Sequence, residues 1–456
     1  MPGRSNSYSA ASGNIMLRIH LRRNVFILSA FILATLIHHG HGADASSSES
    51  WDVESLVAQA LAHNAELKFY AAEVAAAKGQ RTQAGLWKNP EVSGEYGTRR
   101  ISDTEGTLQG DGFTRSVALS QTFEFPGKGS LRKAIANKDI EIAELGLKQF
   151  QLALTARVQM LAYRYQSASI NATAAEEISE RSHALIELLK KRPIAGVTQL
   201  LELRVIEGSL IELHRTAKEF MQEREEARLE LNALIGRPSS QSLVIRSKFS
   251  PPAYQLDANQ LILAGLNQNL QLKGRIAELE KTVRQVSAAR LETAPDFSIG
   301  PFFSQDKAGD LEENFGGSLS MTLPFWNWNQ GNVATAKARR EQADALLLEA
   351  RRKVESEIAR RCRAYELCRK QLNQMPADII DKLRDASDLA DRQYRTGAVN
   401  VQLFLEVQRE FLNAQKIRNE ATVDLWSHWF DLALLTGGAI PLTPSISQAT
   451  KTEGTR

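Results

Sequence analysis

Two hydrophobic periods divide the chain. Between Pro126 and Pro193 there is no proline, and the stretch is rich in Ala, Leu, Lys, Glu and Gln. Proline is nearly excluded from helix interiors, so these residues read as one helix over about 128–191, roughly 90 Å long at 1.5 Å per residue. A helix of that length needs a partner along it, as in a coiled coil. Further on, Val407, Phe411, Ala414, Ala421, Leu425 and Leu432 step by 4, 3, 7, 4 and 7, an a/d seam with positions skipped. Elsewhere the period is two. Phe315, Gly317, Leu319, Met321 and Leu323 alternate with Gly316, Ser318, Ser320 and Thr322. Phe113, Val117, Leu119 and Phe123 do the same against Thr114, Ser116, Ser120 and Thr122. Strands with one apolar and one polar face are expected there.

The landmarks recur in order, about 200 residues apart. Asn64-Ala65-Glu66-Leu67-Lys68 matches Asn269-Leu270-Gln271-Leu272-Lys273, and Asn89-Pro90-Glu91 matches Ala294-Pro295-Asp296, both at an offset of 205. Phe125-Pro126 pairs with Leu323-Pro324 at 198, and Gly196 with Gly397 and Gly236 with Gly437 at 201. This is an internal duplication. Each repeat reads as helix, strand hairpin, long helix, turn, long helix: 52–88, 91–123, 128–191, 192–198 and 199–235, then 258–292, 296–323, 332–396, 397–400 and 401–436. Pro376 should break the second long helix, and Gly236 and Gly437 suit helix C-caps. The domain reading is a signal peptide (1–43), a first repeat (44–237), a linker (238–257), a second repeat (258–437) and a disordered tail (438–456).

The hairpins have the length of outer-membrane barrel strands, although the same alternation would serve a soluble sheet lying on a helical core. Four strands cannot close a barrel with a lumen, and open edges are not tolerated in lipid. Spanning strands would therefore have to be pooled, and three chains would supply 12.

Charge and composition narrow the classes. Val25–Ile37 is a 13-residue apolar run behind Arg18, Arg22 and Arg23, with small residues through Ala43. It is too short to span a bilayer and reads as a secretory leader, with Met1 or Met16 as the start. No cysteine follows it for lipid attachment. The net charge of +3 comes from the leader: removing its four arginines from the 56 basic residues leaves 52 against 53 acidic. That argues against a nucleic-acid partner. A mean hydropathy of −0.30 excludes a polytopic helical membrane protein, and two cysteines exclude a disulfide scaffold. Cys362 and Cys368, six apart on a helix, stand about 9 Å apart in rise and read as unpaired packing residues. The cluster His38-His39-Gly40-His41 falls in the leader, and His63, His183, His214 and His428 are too scattered for a metal-ligand set. With no nucleophile elbow, phosphate loop or metalloprotease motif, neither catalysis nor a cofactor is expected.

The leader without a lipid-attachment cysteine, the duplicated unit, Tyr394-Arg395-Thr396-Gly397 and the terminal Leu434-Leu435-Thr436-Gly437 resemble TolC-type outer-membrane efflux proteins over about 51–437. Phe123-Glu124-Phe125-Pro126-Gly127-Lys128, with Ala195-Gly196-Val197 and Leu201-Glu202-Leu203, is most similar to their CzcC-like heavy-metal branch. The resemblance implies a mostly α fold with β hairpins. Duplicated coiled-coil hairpins would form a trimeric α-barrel beneath a 12-stranded outer-membrane β-barrel. It implies a passive exit duct in a Gram-negative outer membrane, working with a periplasmic adaptor and an inner-membrane RND-type transporter. Divalent heavy-metal cations are the expected cargo.

The resemblance also implies site roles. Gly196 and Gly397 would mark the periplasmic tips, Tyr394 would join gate bonds between helices, Glu202 would be an acidic partner, and Glu406 would face the pore. Both glutamates equally suit solvated helix faces. Where the family pattern has an arginine, this chain has Val399, and the place of a second pore acid holds Leu403. Trp326 and Trp328 follow a strand end and suit a membrane interface or packing. A periplasmic adaptor or a structural coiled coil is the competing reading; two equivalent hairpins argue against the adaptor.

Overall fold

The computed structural model describes residues 50–442 apart from 192–195, 247–249, 253 and 377. The leader, the tail from 443 and most of the first tip turn lie outside the described residues. After β1 (Ser50–Trp51), the first repeat runs α1 (Val53–His63), α2 (Ala65–Gln83), β2 (Glu91–Ser102), β3 (Leu108–Phe123), α3 (Lys128–Lys190) and α4 (Val197–Leu234). β4 (Val244–Ile245) follows. The second repeat runs α5 (Ala258–Gln268), α6 (Leu270–Leu291), β5 (Phe297–Lys307), β6 (Leu311–Met321), α7 (Gln330–Gln374), α8 (Ile379–Thr396) and α9 (Val401–Leu435). The expected break falls at Pro376, so α7 and α8 together match α3. Met375 before it is extended, with ψ 122°, as a residue preceding proline prefers.

Two helices expected as continuous are broken. The 52–88 and 258–292 segments split at Asn64 and Asn269, which both leave helical geometry, at ψ 125° and 122°. Asn269 Oδ1 accepts from the Leu272 N–H at 2.8 Å, capping α6. Its Nδ2 donates to the Leu435 carbonyl at the end of α9, also at 2.8 Å. Asn64 repeats the arrangement with Glu66, Leu67 and, at 3.4 Å, the Leu234 carbonyl. One amide thus caps a helix start and satisfies a helix end of the same repeat. Asn269 is buried. Asn269→Ala should cost about 2 kcal/mol, from a lost cap and an unpaired buried carbonyl. Thermal unfolding in detergent should show a larger loss for it than for the half-buried Asn64→Ala.

The 63-residue α3 is supported on several sides. Near its start, Tyr70 of α2 stacks on Phe150 and Arg81 bonds Asn137. From α6, Lys281 pairs with Asp139 at 3.1 Å and Glu280 with Lys138 at 2.6 Å. Farther along, α4 returns beside it, and α9 crosses with Asn419 bonded to Asn171 and Gln415 to the Ile170 carbonyl.

The largest apolar core joins α1, the middle of α3, the ends of α4 and α9, and α7. Tyr163 stacks on Trp426 at 4.6 Å, and Trp426 lies 5.4 Å from Phe430. Trp426 and Trp429 are therefore packing residues. Cys362 is buried in this core, its thiol pushed up to about 11 by burial, and Cys368 is half-buried; both are free. Gly437, at φ +61°, ends the last helical turn where a Cβ would stand 2.2 Å from the Gln268 carbonyl oxygen.

Two stretches outside the repeats also pack against the helices. Among the described residues of the 238–257 linker, β4 pairs in parallel with β1, Leu243 is buried, and Tyr254 stacks on Trp429. Nor does order end at 438. Ile440 is buried in the core and the Pro441 carbonyl accepts from Trp429 Nε1 at 3.1 Å. In both cases a few apolar residues find a groove beside the helix ends, which composition does not reveal.

Candidate functional site

Both hairpins form where alternation placed them, and they join into one antiparallel sheet in the order β2-β3-β5-β6. Opposed residues on neighbouring antiparallel strands share a face. The register pairs Val92 with Leu119, Val117 with Phe303, Phe303 with Phe315, Ile299 with Leu319, and Phe297 with both Phe123 and Met321. All lie on one face. Phe315 is 82% and Leu319 73% exposed. The band ends at a polar rung, Tyr96–Arg115–Gln305–Glu313. At the other end stand Phe325, Trp328 and Trp326, the last 90% exposed.

The opposite face is mostly small and polar, with Ser116, Ala118 and Ser120, then Ser298, Gly300 and Ser304, then Ser318 and Ser320; Phe302 and Ile101 are its large apolar residues. Its charges are Glu91, Glu95, Asp306 and Glu312 against the single Arg99. Arg99 reaches across β3, where Gly112 leaves room, to Asp306 at 2.7 Å and Glu312 at 3.6 Å. Among the described residues, β2 and β6 are each paired on one side only. No described helix is long and apolar enough to cross a membrane.

The strand-to-helix corner explains the Phe123–Lys128 segment. Gly127 turns the chain with φ +103° ahead of α3. Lys128, 6% exposed, donates to Asp296 Oδ1 at 2.9 Å and pairs with Glu292 at 3.2 Å. The Phe125 N–H also donates to Asp296, and Arg132 pairs with Glu124 at 2.6 Å. The first repeat's corner thus clasps the start of the second repeat's hairpin. Burial pushes the Asp296 carboxyl up, but the bonds from Lys128 and Phe125 outweigh it and hold it below its ordinary value. Burial likewise pushes the Lys128 ammonium down, and its bonds to Asp296 and Glu292 hold it above its ordinary value.

At the other end, α3, α4, α8 and α9 converge on a small core of Leu185, Ile186, Ile206, Ala390, Tyr394, Phe404 and Leu405. Tyr394 is 8% exposed and its ring stacks on Phe404 at 5.2 Å. The ring is therefore part of the tip's packing. Glu202 is half-buried near the start of α4, beside Leu203 of the same cluster, and Glu406 is exposed on α9. Val399 packs against the cluster instead of carrying a charge. The tip glycines differ: Gly397 is left-handed at φ +79°, whereas Gly196 is extended ahead of α4.

Three polar contacts here had no readable signal in the sequence. Arg181 of α3 pairs with Asp388 of α8 across the two hairpins. Ser387 and Gln408 exchange buried hydrogen bonds of 2.7 and 3.1 Å. The Lys128–Asp296 bond joins residues 168 apart. The Asp391–Arg395 pair, with bonds of 2.9 and 3.1 Å, has by contrast the i,i+4 spacing that flags a helical ion pair.

Comparison with known proteins agrees with this geometry. The outer membrane efflux protein family model matches residues 56–237 and again 261–438. A pyoverdine export outer membrane protein, OpmQ of Pseudomonas putida, is 22% identical over 80% of this chain and 81% of its own length. The CmeC outer membrane channel of Campylobacter jejuni superposes with a TM-score of 0.68 at 18% identity, covering 86% of this chain and 87% of its own. The OprN outer-membrane channel gives 0.69 at 18%, with 85% and 90% covered, and CusC 0.66 at 17%, with 86% and 93% covered. Matched in both halves, and with the fold of outer-membrane channels, the chain belongs to the outer membrane efflux protein family and is an efflux channel of the outer membrane.

Proposed function

We propose that three copies of this chain close a 12-stranded barrel in the outer membrane, continued into the periplasm by an α-barrel of their helical hairpins, as a passive exit duct. A periplasmic adaptor and an inner-membrane RND-type transporter would load it. The observation that carries this reading is the sheet: an exposed apolar face, a polar face, and two open edges that lipid would not tolerate unpaired. The two matched segments support the repeat boundaries 44–237 and 258–437. Solubilised from outer membranes, the complex should have the mass of three chains; a monomer would contradict the closure.

The cargo in this reading is cationic, as in the CzcC-like heavy-metal branch. The polar face holds four carboxylates against one arginine, and threefold symmetry would multiply that imbalance in the lumen. The pyoverdine exporter among the relatives favours an organic cargo instead. A deletion strain should lose tolerance to divalent heavy metals and regain it with the gene; unchanged tolerance together with siderophore retention would select the organic cargo.

At the mouth, three copies would turn exposed Glu406 into a ring of acids, while Glu202 and Tyr394 would bond across hairpins in the closed state. Glu406→Gln should lower cation selectivity in single-channel recordings at low salt, and the difference should fade as screening grows. Unchanged selectivity would make Glu406 a solvated face charge.

A further inference from the structure

The hairpin-turn end of the sheet's apolar face carries two cations that no ion pair engages among the described residues. Beyond the apolar band, the rung Tyr96–Arg115–Gln305–Glu313 is followed on the same face by Thr98–Phe113–Lys307–Leu311. Arg115 stands opposite Gln305, and Lys307 opposite Phe113. The two cations are therefore diagonal neighbours on adjacent strands, about 7–8 Å apart. Both are exposed. Arg115 lies over the Phe113 ring, 5.6 Å from its centre.

Beside them sits an amide with one bond missing. Gln305 is only 7% exposed. Its Nε2 donates to Glu313 Oε1 at 2.7 Å, and its Oε1 is buried without a partner among the described residues. A buried acceptor left unbonded is costly. With the nitrogen committed to Glu313, what is missing is a donor. The nearby acids are already engaged: Glu313 by this amide, and Asp111 by Arg100 at 3.4 Å.

We propose that this rung binds the headgroup of a phosphorylated, N-acylated glycolipid of the outer leaflet. The phosphate sits between Arg115 and Lys307, where charge-assisted hydrogen bonds are strong. A sugar hydroxyl or amide N–H supplies the donor that Gln305 Oε1 lacks. The acyl chains lie along the band that begins with Val117, Phe303 and Phe315. A simple phospholipid such as phosphatidic acid brings the phosphate and the chains, but no sugar hydroxyl or amide. The site lies within one chain, at the β3–β5 seam, so each copy has one. The inference rests on the outer-membrane reading of the sheet proposed above.

Native mass spectrometry of the solubilised, delipidated protein tests this, with EDTA present so that no metal bridges phosphate to carboxylate. Lipid A and phosphatidic acid are the probes. Wild type should bind lipid A up to one per chain. Arg115→Gln combined with Lys307→Gln should bind both lipids at least about tenfold more weakly, through lost charge-assisted bonds, and Arg115→Lys should retain binding. Gln305→Met should weaken lipid A alone. Equal binding of lipid A by wild type and the double variant would overturn the site. Equal effects of Gln305→Met on both lipids would overturn the choice of a glycolipid. Either result at a three-chain mass leaves the duct reading standing. A single-chain mass in the same spectra would overturn that reading, and the outer-leaflet assignment with it.

Discussion

Leu319→Arg should prevent assembly in the outer membrane, and Ser320→Arg should not. Leu319 projects from the apolar face, opposite Ile299 on β5. A cation on the lipid side of a barrel costs about 2–4 kcal/mol near the midplane and less toward the interfaces. Three copies bear the change at once, so the penalty is of the order of a domain's whole stability. Ser320 is the next residue, on the polar face opposite Ser298. In a water-filled lumen its arginine keeps its hydration. Heat-modifiable bands on gels of outer-membrane fractions should survive in the second variant and be lost in the first. Equal tolerance of both would mean that the sheet lies in water.

The second large effect is expected at the corner. Lys128→Met leaves Asp296 with the Phe125 N–H and a 3.5 Å contact to Lys88. Breaking a fully buried ion pair costs about 3–5 kcal/mol. Glu292 is half exposed, so about 2–3 kcal/mol is expected here. The pH dependence follows from the shifts. Asp296 is held below its ordinary value, so its contribution is complete above about 3.8 and is lost as pH falls through the lowered value. Lys128 is held above 10.5, so its contribution is complete below that and is lost as pH rises through the raised value. Wild-type stability should therefore fall more steeply toward acid than that of Lys128→Met, measured by thermal unfolding of the solubilised protein. Parallel curves would assign the clasp no role.

The parts that were legible in the sequence are those set by local patterns. The helix expected over 128–191 was found at 128–190, because prolines bracket it and nothing between them breaks it. The hairpins were legible because alternation records a face. What was missed depends on distant partners. Asn64 and Asn269 were visible as repeat landmarks, but the carbonyls that make them breaks, Leu234 and Leu435, lie 170 and 166 residues away. The Phe123–Lys128 segment was read as a family signature, and its physical reason, Asp296, belongs to the other repeat. At the tips, the ring of Tyr394 is buried against Phe404, a contact between α8 and α9 that a gate role does not announce. Glu202 is half-buried and Glu406 exposed, and the roles that the resemblance implies for them rest on the functional tests above.

A sheet that crosses the outer membrane as proposed has its hairpin turns outside. The turns stand at Gly106 and Gly309, both at positive φ and with open space around them. Cysteines placed there one at a time, in a chain lacking Cys362 and Cys368, can be probed in intact cells with a membrane-impermeant maleimide. Both positions should be labelled before any permeabilisation. Labelling only after the outer membrane has been opened would contradict that topology.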